Sequence, residues 1–203
     1  MLGAAVGFLI IMPAVGTWYS SRRRRRASAR RAIERRAVTA IATLREGEPA
    51  RIRGVVAARE PLLTSPISGR ACIGYQVIID DRSHHPDFEW IPLVDREVWP
   101  SFLVTDETGT MAVQGQLQML VDPSDGGPNL PAEAYALLQA DDVRMKDLWG
   151  PRQFWFRETL LKLGDRVSVV GRPSLEVDRR LPVMRGSDDQ PVVIIDDDEG
   201  KVG

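Results

Sequence analysis

An uncharged apolar run, Leu2 to Tyr19, constrains this chain most, because a block of five arginines follows it almost at once. As a helix rising about 1.5 Å per residue it reaches roughly 27 Å, just enough to cross the hydrocarbon core of a bilayer. Aromatic rings at its end favour the headgroup layer, and arginines beyond them are costly to translocate. The pattern predicts a transmembrane anchor over residues 1–21 with its N-terminus outside. The residues predicted at the membrane surface are Trp18, Tyr19, Arg22, Arg23, Arg24, Arg25 and Arg26.

Two other interpretations of this apolar run, a cleaved signal peptide and a buried core helix, fit the sequence less well. A cleaved signal peptide carries its positive charge before the apolar run, whereas here the charge follows it. A buried core helix is usually shorter and amphipathic. The alternative that stays open is a peripheral segment lying in the interface. The main domain is therefore predicted to face the cytoplasm, and the arginine-rich composition fits a bacterial inner membrane.

Charge is divided unevenly along the chain. Residues 22–36 hold nine arginines and one glutamate, while the whole chain carries a formal charge of −1, so the remainder is strongly acidic. A basic block beside a membrane attracts anionic headgroups, at about 1 kcal/mol per residue close to the surface. It serves equally well as a plain topology signal. Nucleic acid is not an expected partner, because the remainder would repel phosphates.

The chain contains few cysteine and histidine side chains that could act as nucleophiles or metal ligands. Cys72 is the single cysteine, which agrees with a reducing compartment, and His84 and His85 are the two histidines. A structural zinc site needs four such ligands, so zinc fingers and RING-type sites are excluded on count. The chain also lacks a phosphate-binding glycine loop, a nucleophile elbow and a metalloprotease helix. We therefore expect no cofactor, no metal and no enzyme activity.

Periodicity divides the chain into four parts. An arginine-rich helical stem is predicted over 22–48, a folded domain over 49–180 and an acidic tail over 181–203. The predicted strands, which alternate polar and apolar residues, are 50–56, 71–80, 99–105, 110–121 and 166–172, with 175–178 and 192–195 completing the sheet. One helix is predicted over 131–140. Short strands with few helices indicate a mainly β fold, and our first choice is a five-stranded OB-like barrel with a helical insertion.

Four patches follow one another along the predicted domain, at 54–56, 63–75, 102–113 and 158–171. They contain the spacings Ser-Pro-x-Ser-Gly-x-x-Cys, Asp-x-Thr-Gly and Glu-x-x-Leu-x-x-Gly-Asp. Together they resemble the GIDE-type domain, also called BAM for "beside a membrane", of the mitochondrial ubiquitin ligase family. The resemblance covers residues 50–178. The motif residues, for which we expect structural roles, are Pro66, Gly69, Cys72, Tyr75, Asp106, Gly109, Glu158, Leu160, Gly164, Asp165 and Gly171.

The resemblance does not imply the ligase activity that the family's name suggests. In the eukaryotic relatives the domain lies between two transmembrane helices and a RING finger follows it. This chain has neither a second apolar run of adequate length nor RING ligands, so ligase chemistry has no residues to inherit. What remains is a membrane-adjacent module, OB-like in fold, with an accessory or partner-binding role.

Two features of the sequence, Cys72 and the aromatic stretch 149–157, each allow two interpretations. Cys72 is either a nucleophile activated by a histidine of the neighbouring hairpin or a small buried hydrophobe, and we favour the second. The aromatic stretch 149–157 is either an interaction surface or core filling, since Phe154 and Phe156 alternate with Trp155. As a surface, it would present Trp149, Arg152, Trp155 and Arg157.

These observations predict a single-pass membrane protein whose β-domain holds a protein partner, or a second copy of itself, beside the membrane. The alternatives are an activity related to ubiquitin transfer through a partner, a Cys72-dependent enzyme, and recognition of anionic lipid by the arginine block.

Overall fold

The computed structural model describes residues 30, 33–81, 91–121, 123–141, 153–174, 181–187 and 189–196. The predicted anchor and the block Arg22–Arg26 lie outside these residues, and in the described part no helix has both the length and the apolar character needed to cross a bilayer. The described part is mainly β, as predicted. Its strands are β1 (Ala50–Ala58), β2 (Leu63–Thr64), β3 (Ala71–Cys72), β4 (Gly74–Asp81), β5 (Ile91–Val98), β6 (Phe102–Thr105), β7 (Thr110–Gly115), β8 (Leu117–Met119), β9 (Asp125–Gly127), β10 (Phe154–Leu161), β11 (Arg166–Gly171), β12 (Pro173–Ser174), β13 (Val183–Gly186) and β14 (Val192–Asp196).

The larger sheet runs in the order β12-β13-β7-β6-β1-β11-β14-β8. Its strands β7 and β8 are separated in the chain by Gln116 alone. The last strand of the order, β8, is therefore joined through one bent stretch of chain to β7, which is third from the other end. Gly115 makes the bend, with φ +85°. There the partner changes from β13 to β14, both parallel to their partners, and the Gln116 N–H donates to the carbonyl of Gly186 at 3.2 Å.

The closure needs glycine on the facing strand. A Cβ on Gly186 would lie 1.8 Å from the carbonyl oxygen of Gln116. Inside the closed sheet lies an apolar core, to which alternate residues of β1 contribute Ile52 and Val56. This alternation is the period of two seen in the sequence, because the other face of β1 points outwards.

A second sheet, ordered β5-β4-β10-β9, is built from two insertions. The strands β4 and β5 lie in the chain between β1 and β6, while β9, the helix α1 (Ala132–Ala140) and β10 lie between β8 and β11. The helix, predicted by the sequence, packs Ala134 and Leu138 into a separate core with Val77 and Phe156. At the end of the β4–β10 ladder the Ile73 N–H donates to the carbonyl of Leu161 at 2.7 Å, and both side chains belong to the core of the larger sheet.

The stem differs from its prediction. Arg30, Ile33 and Glu34 are helical, but the described chain after them is not an α-helix: Val38 bridges to Arg51 and a 3-10 helix spans Ile41–Thr43. The helix predicted over 22–44 is therefore wrong for residues 36–44, and residues 22–29, 31 and 32 lie outside the described part. Alanine and arginine favour helix locally, but hydrogen bonds from the barrel override that preference.

The predicted tail is also wrong in part. Both β13 and β14 lie within 181–203 and pair with β7, β8 and β11, so the domain extends to Asp196. The strand predicted over 192–195 is present as β14. The strand β13 was not predicted, because its parallel partner β7 is distant in the chain. The strand predicted over 175–178 lies outside the described residues, and the one predicted from Trp99 begins at Phe102.

Candidate functional site

A groove with a volume of about 750 Å³ opens on the outer face of β1. One wall is the N-terminal segment at Val38 and Ala40, and the floor includes Val55 and Ala57. The remaining lining comes from β1, the turn after β6 and the start of β11. Its residues are Arg53, Gly54, Thr105, Asp106, Glu107, Thr108 and Arg166. Val38 and Val55 are 47% and 39% exposed, so the groove offers apolar surface to solvent.

Charges are separated along this groove. Arg166 lies opposite Val55 in the β1–β11 ladder, and Arg53 lies two residues before Val55 on the same face. Diagonal neighbours of this kind stand roughly 7 to 8 Å apart, so Arg53 and Arg166 lie near each other on the outer face. Asp106 and Glu107, which follow β6, also line the groove. The lining therefore contains two arginines and two acidic residues.

Asp106 joins the N-terminal segment to the barrel. Its carboxylate closes its own turn by accepting the N–H of Thr108 at 2.7 Å and of Gly109 at 2.9 Å, and it accepts the N–H of Ile41 at 2.9 Å. Thr108 Oγ1 also accepts the N–H of Ala42 at 3.1 Å. Burial raises the pKa of Asp106, but these hydrogen bonds outweigh it and leave the pKa below its ordinary value. The Asp-x-Thr-Gly motif is thus a docking point for the incoming chain.

Arg51 fixes the same segment from its other end. Its side chain is buried, and Nη1 donates to the carbonyls of Glu34 at 2.9 Å and Arg36 at 3.2 Å. Nε and Nη2 both donate to Ser168 Oγ, at 3.2 and 3.0 Å. A guanidinium at the last carbonyls of a helix satisfies acceptors that the helix leaves open. Ile33 packs beside it on Leu120 and Ile195, so the helix end rests on the barrel wall.

Glu158 joins the other two motifs. It is fully buried on β10, and its carboxylate accepts hydrogen bonds from the hydroxyl of Ser65, the N–H of Ser68 at 3.1 Å and the guanidinium of Arg70 at 3.0 Å. Burial raises the pKa of Glu158, yet these donors hold it below its ordinary value. The loop between β2 and β3, with Pro66 and with Gly69 at φ +68°, is folded around this one carboxylate.

Cys72 follows that loop and is inaccessible. Its side chain has no exposed surface and packs in the β2–β3 hairpin opposite Leu63. Burial, and then the negative charge of Glu158, raise the pKa of the thiol. Both causes disfavour the thiolate, which is the nucleophilic form. The geometry is that of a small buried hydrophobe.

The remaining motif residues support strands and turns. Leu160 is buried on β10 and Tyr75 packs against the core beneath α1. Asp165 accepts the N–H of Lys162 at 2.7 Å in a turn that Gly164 forms with φ +87°. A Cβ on Gly171 would lie 2.7 Å from the side chain of Met184, so a larger residue there would displace that methionine.

The aromatic stretch resolves into a strand with two faces. Phe154 and Phe156 are buried, whereas Trp155 and Arg157 are half-buried on the opposite face of β10. Arg157 donates to the buried carboxylate of Asp80 at 2.7 Å, so its charge is used within the fold. Trp149 and Arg152 lie outside the described residues. The stretch is therefore in part core, and its proposed surface role stays a prediction.

Among the described residues, no group of three His, Cys, Asp or Glu side chains is placed to hold a metal ion. His84 and His85 lie outside them. Sequence reasoning missed the groove and the residues that form it, above all Val38, Arg53, Val55 and Arg166. The alternation Arg51-Ile-Arg-Gly-Val55 was a sequence signal for part of this surface, since it places two arginines on the same face of a predicted strand.

No protein-family model, curated protein or solved structure matches this chain. The resemblance to the GIDE-type domain therefore rests on the quoted motifs alone.

Proposed function

We propose that this chain is a membrane-anchored, non-catalytic binding module of the GIDE type, built on an OB-type barrel, which presents the groove beside β1 to a protein partner near the membrane. The observation that carries the proposal is the docked N-terminal segment. The same residues that follow the predicted anchor, Val38 and Ala40, form a wall of the groove and are tied down at Ile41 and Arg51. The segment that connects the predicted anchor to the β-domain is thus also part of the groove.

Strand order supports the OB-type assignment. If β7 and β8 count as one strand, and β13 with β14 as another, the closed sheet has five strands in the order β1, β6, β7/β8, β13/β14, β11 and back to β1. The strands β7/β8 and β13/β14 are parallel to each other, and all other neighbours within the barrel are antiparallel. OB domains are five-stranded Greek-key barrels that use their surfaces for binding.

Burial of Cys72 supports a non-catalytic role. A nucleophilic cysteine sits in an accessible, electropositive site, whereas Cys72 has no exposed surface and faces the charge of Glu158. The groove, in contrast, combines an exposed apolar floor with charged side chains, as binding pockets do.

Cross-linking in native cells, followed by membrane extraction and mass spectrometry, tests the proposal. We expect a defined protein partner that is recovered with the unmodified chain and with Cys72→Ala, and lost with Val55→Lys, which places a charge on the groove floor. Leu62→Lys is the matched control, since Leu62 is similarly exposed, at 44%, but outside the groove. Loss of the partner with Cys72→Ala alone would overturn the non-catalytic role, and equal recovery with Val55→Lys would exclude the groove.

Replacing Arg22–Arg26 with alanines tests the anchor. We expect weakened or inverted insertion, measured by protease protection of the β-domain in sealed vesicles. Normal insertion of this variant would contradict the predicted topology.

A further inference from the structure

The wall of the groove formed by Val38 and Ala40 is held by its flanks and not by its own packing. Val38 is 47% exposed, whereas Ile33 before it and Ile41 after it are only 6% and 5% exposed. The two isoleucines belong to different apolar clusters, Ile33 on the barrel wall and Ile41 in the core of the larger sheet. The wall is thus a span between two anchored points, and its position depends on what holds those points.

Arg51 holds the first point. Its guanidinium bridges the carbonyls of Glu34 and Arg36 to the hydroxyl of Ser168 on β11. Because the N–H donors of a guanidinium stand in a rigid planar fork, this bridge fixes the end of the N-terminal helix relative to the barrel. The Arg51 carbonyl also accepts the N–H of Thr39 at 2.7 Å, within the wall itself.

Arg51 acts on the groove from outside it. The described residues that line the groove include Asp106 and Thr108, which hold the second point, but not Arg51. The Arg51 side chain is buried, so a bound partner has no access to it. An effect of Arg51 on binding therefore has to pass through the segment that it holds.

We propose that Arg51 is a positioning residue of the binding site, so that docking of the segment 38–44 and binding of a protein partner in the groove favour each other. The inference rests on the proposed partner-binding function and adds a means of regulating it. A chain whose N-terminal segment is drawn away from the barrel loses the wall of the groove and releases the partner. Coupling between two sites is reciprocal, so a bound partner also holds the segment in place.

Recovery of the partner by cross-linking in native membranes, relative to the unmodified chain, tests this inference. We expect Arg51→Ala to lower recovery at least about fivefold, the lower end of coupling between sites. Arg172→Ala is the matched control, because its guanidinium also donates to a carbonyl that precedes β1, that of Gly47, at 2.6 Å. This contact lies beyond the wall, so recovery should match that of the unmodified chain.

A second control separates positioning from stability. Glu158→Ala is expected to destabilise the chain more than Arg51→Ala, but the hydrogen-bond partners of Glu158 lie outside the groove. At a temperature where both variants are folded, as melting curves show, Glu158→Ala should recover the partner as the unmodified chain does. Equal loss with Glu158→Ala or with Arg172→Ala would overturn the proposal.

A reversible cross-link provides the rescue. A Cβ on Gly109 would lie 3.8 Å from the Cβ of Ile41, a separation that suits a disulfide. The tighter contact there, at 3.2 Å, is with the Ile41 Cγ2 methyl, which cysteine lacks. Neither residue lines the groove, and the native thiol of Cys72 has no exposed surface to compete. Ile41→Cys with Gly109→Cys therefore ties the segment to the turn after β6.

This pair is combined with Arg51→Ala, and the same membranes are compared after oxidation with copper phenanthroline and after reduction with dithiothreitol. Thiol labelling of the denatured chain measures formation of the disulfide. The oxidised form should recover nearly as much partner as the unmodified chain, and the reduced form should not. Arg51→Ala without the cysteines, treated with the same oxidant, controls for oxidative damage.

Hydrogen exchange of residues 38–44 in the purified chain reports docking in each variant. Undiminished recovery with Arg51→Ala overturns the proposal, whether the segment has opened or stayed closed. Failure of the oxidised pair to restore recovery overturns it as well. These outcomes leave the partner-binding function standing, whereas absence of any partner from the unmodified chain would contradict that function and this inference with it.

Discussion

The Glu158 cluster and the groove beside β1 use charged residues in opposite ways. Glu158 is fully buried, and three donors surround its carboxylate. Arg166 in the groove is exposed, and the floor beside it is apolar and open. The first arrangement stabilises a loop and has no room for a ligand, whereas the second has room and contributes little to packing. The residues of the quoted sequence motifs build the scaffold, and the proposed binding surface consists of residues that no motif marks, Asp106 excepted.

Removing Glu158 is expected to give the largest effect. In Glu158→Ala the free energy of unfolding falls by about 3 kcal/mol, because Ser65 and the N–H of Ser68 lose their acceptor inside the fold. Arg70 is 43% exposed and can turn to water, which keeps the loss at the lower end for a broken buried pair. Chemical denaturation measures it. Asp125→Ala is the control: its carboxylate stands 3.7 Å from Arg70 but is 57% exposed, so its loss should stay below about 0.5 kcal/mol.

Arg51 is expected to matter next. Arg51→Ala leaves the carbonyls of Glu34 and Arg36 and the hydroxyl of Ser168 without their donor, and should lower the free energy of unfolding by about 2 kcal/mol. A local readout separates docking from general stability: hydrogen exchange in 38–44 should rise more than in β10. Arg51→Lys should recover part of the loss, since one ammonium cannot reach both partners. Uniform exchange across the chain would show that the segment is not separately docked.

The stability that Asp106 contributes by docking the N-terminal segment is expected to depend on pH. The folded-state pKa of Asp106 lies below its ordinary value of 3.8, so its charged form contributes stability that is present above 3.8 and is lost as the pH falls through the folded value. Asp106→Asn should therefore be less stable than the unmodified chain at pH 7, by about 1 kcal/mol. The difference should shrink below pH 4. Thermal unfolding from pH 7 to pH 3 measures it, and a difference that stays constant would contradict the assigned role.

The fold was predictable where a pattern is local. Ile52 and Val56 alternate with outward residues on β1, so the period of two was visible, and α1 carries proline at its start and an apolar stripe. The strand β10 was not assigned because both of its flanks are occupied, by β4 and β9, and because it carries Glu158 in its interior. The first half of β10 alternates in burial, but from Glu158 onwards every residue is buried, and a buried carboxylate does not follow the polar-out pattern of a strand. Its partners, Ser65 and Ser68, are about ninety residues away in sequence.

The groove was not predictable for a related reason. It is assembled from the N-terminal segment, β1, the turn after β6 and β11, so no window of sequence contains it. The segment 36–44 was predicted as helix from its alanines and arginines, and its extended course depends on acceptors and donors that belong to Asp106, Thr108 and Arg51. Only the sharing of one strand face by Arg51 and Arg53 hinted at an exposed cationic surface.

The smallest effect on stability is expected in the groove itself. Arg166→Glu should change the free energy of unfolding by no more than about 0.5 kcal/mol, because the side chain is exposed at the start of β11. The same change reverses a charge in the groove lining, so it should weaken recovery of the partner that the groove binds. The two measurements together sharpen the contrast with Glu158, whose loss unfolds the loop without touching the groove. If Arg166→Glu instead destabilised the chain as much as Glu158→Ala, the groove would be part of the scaffold and not a binding surface.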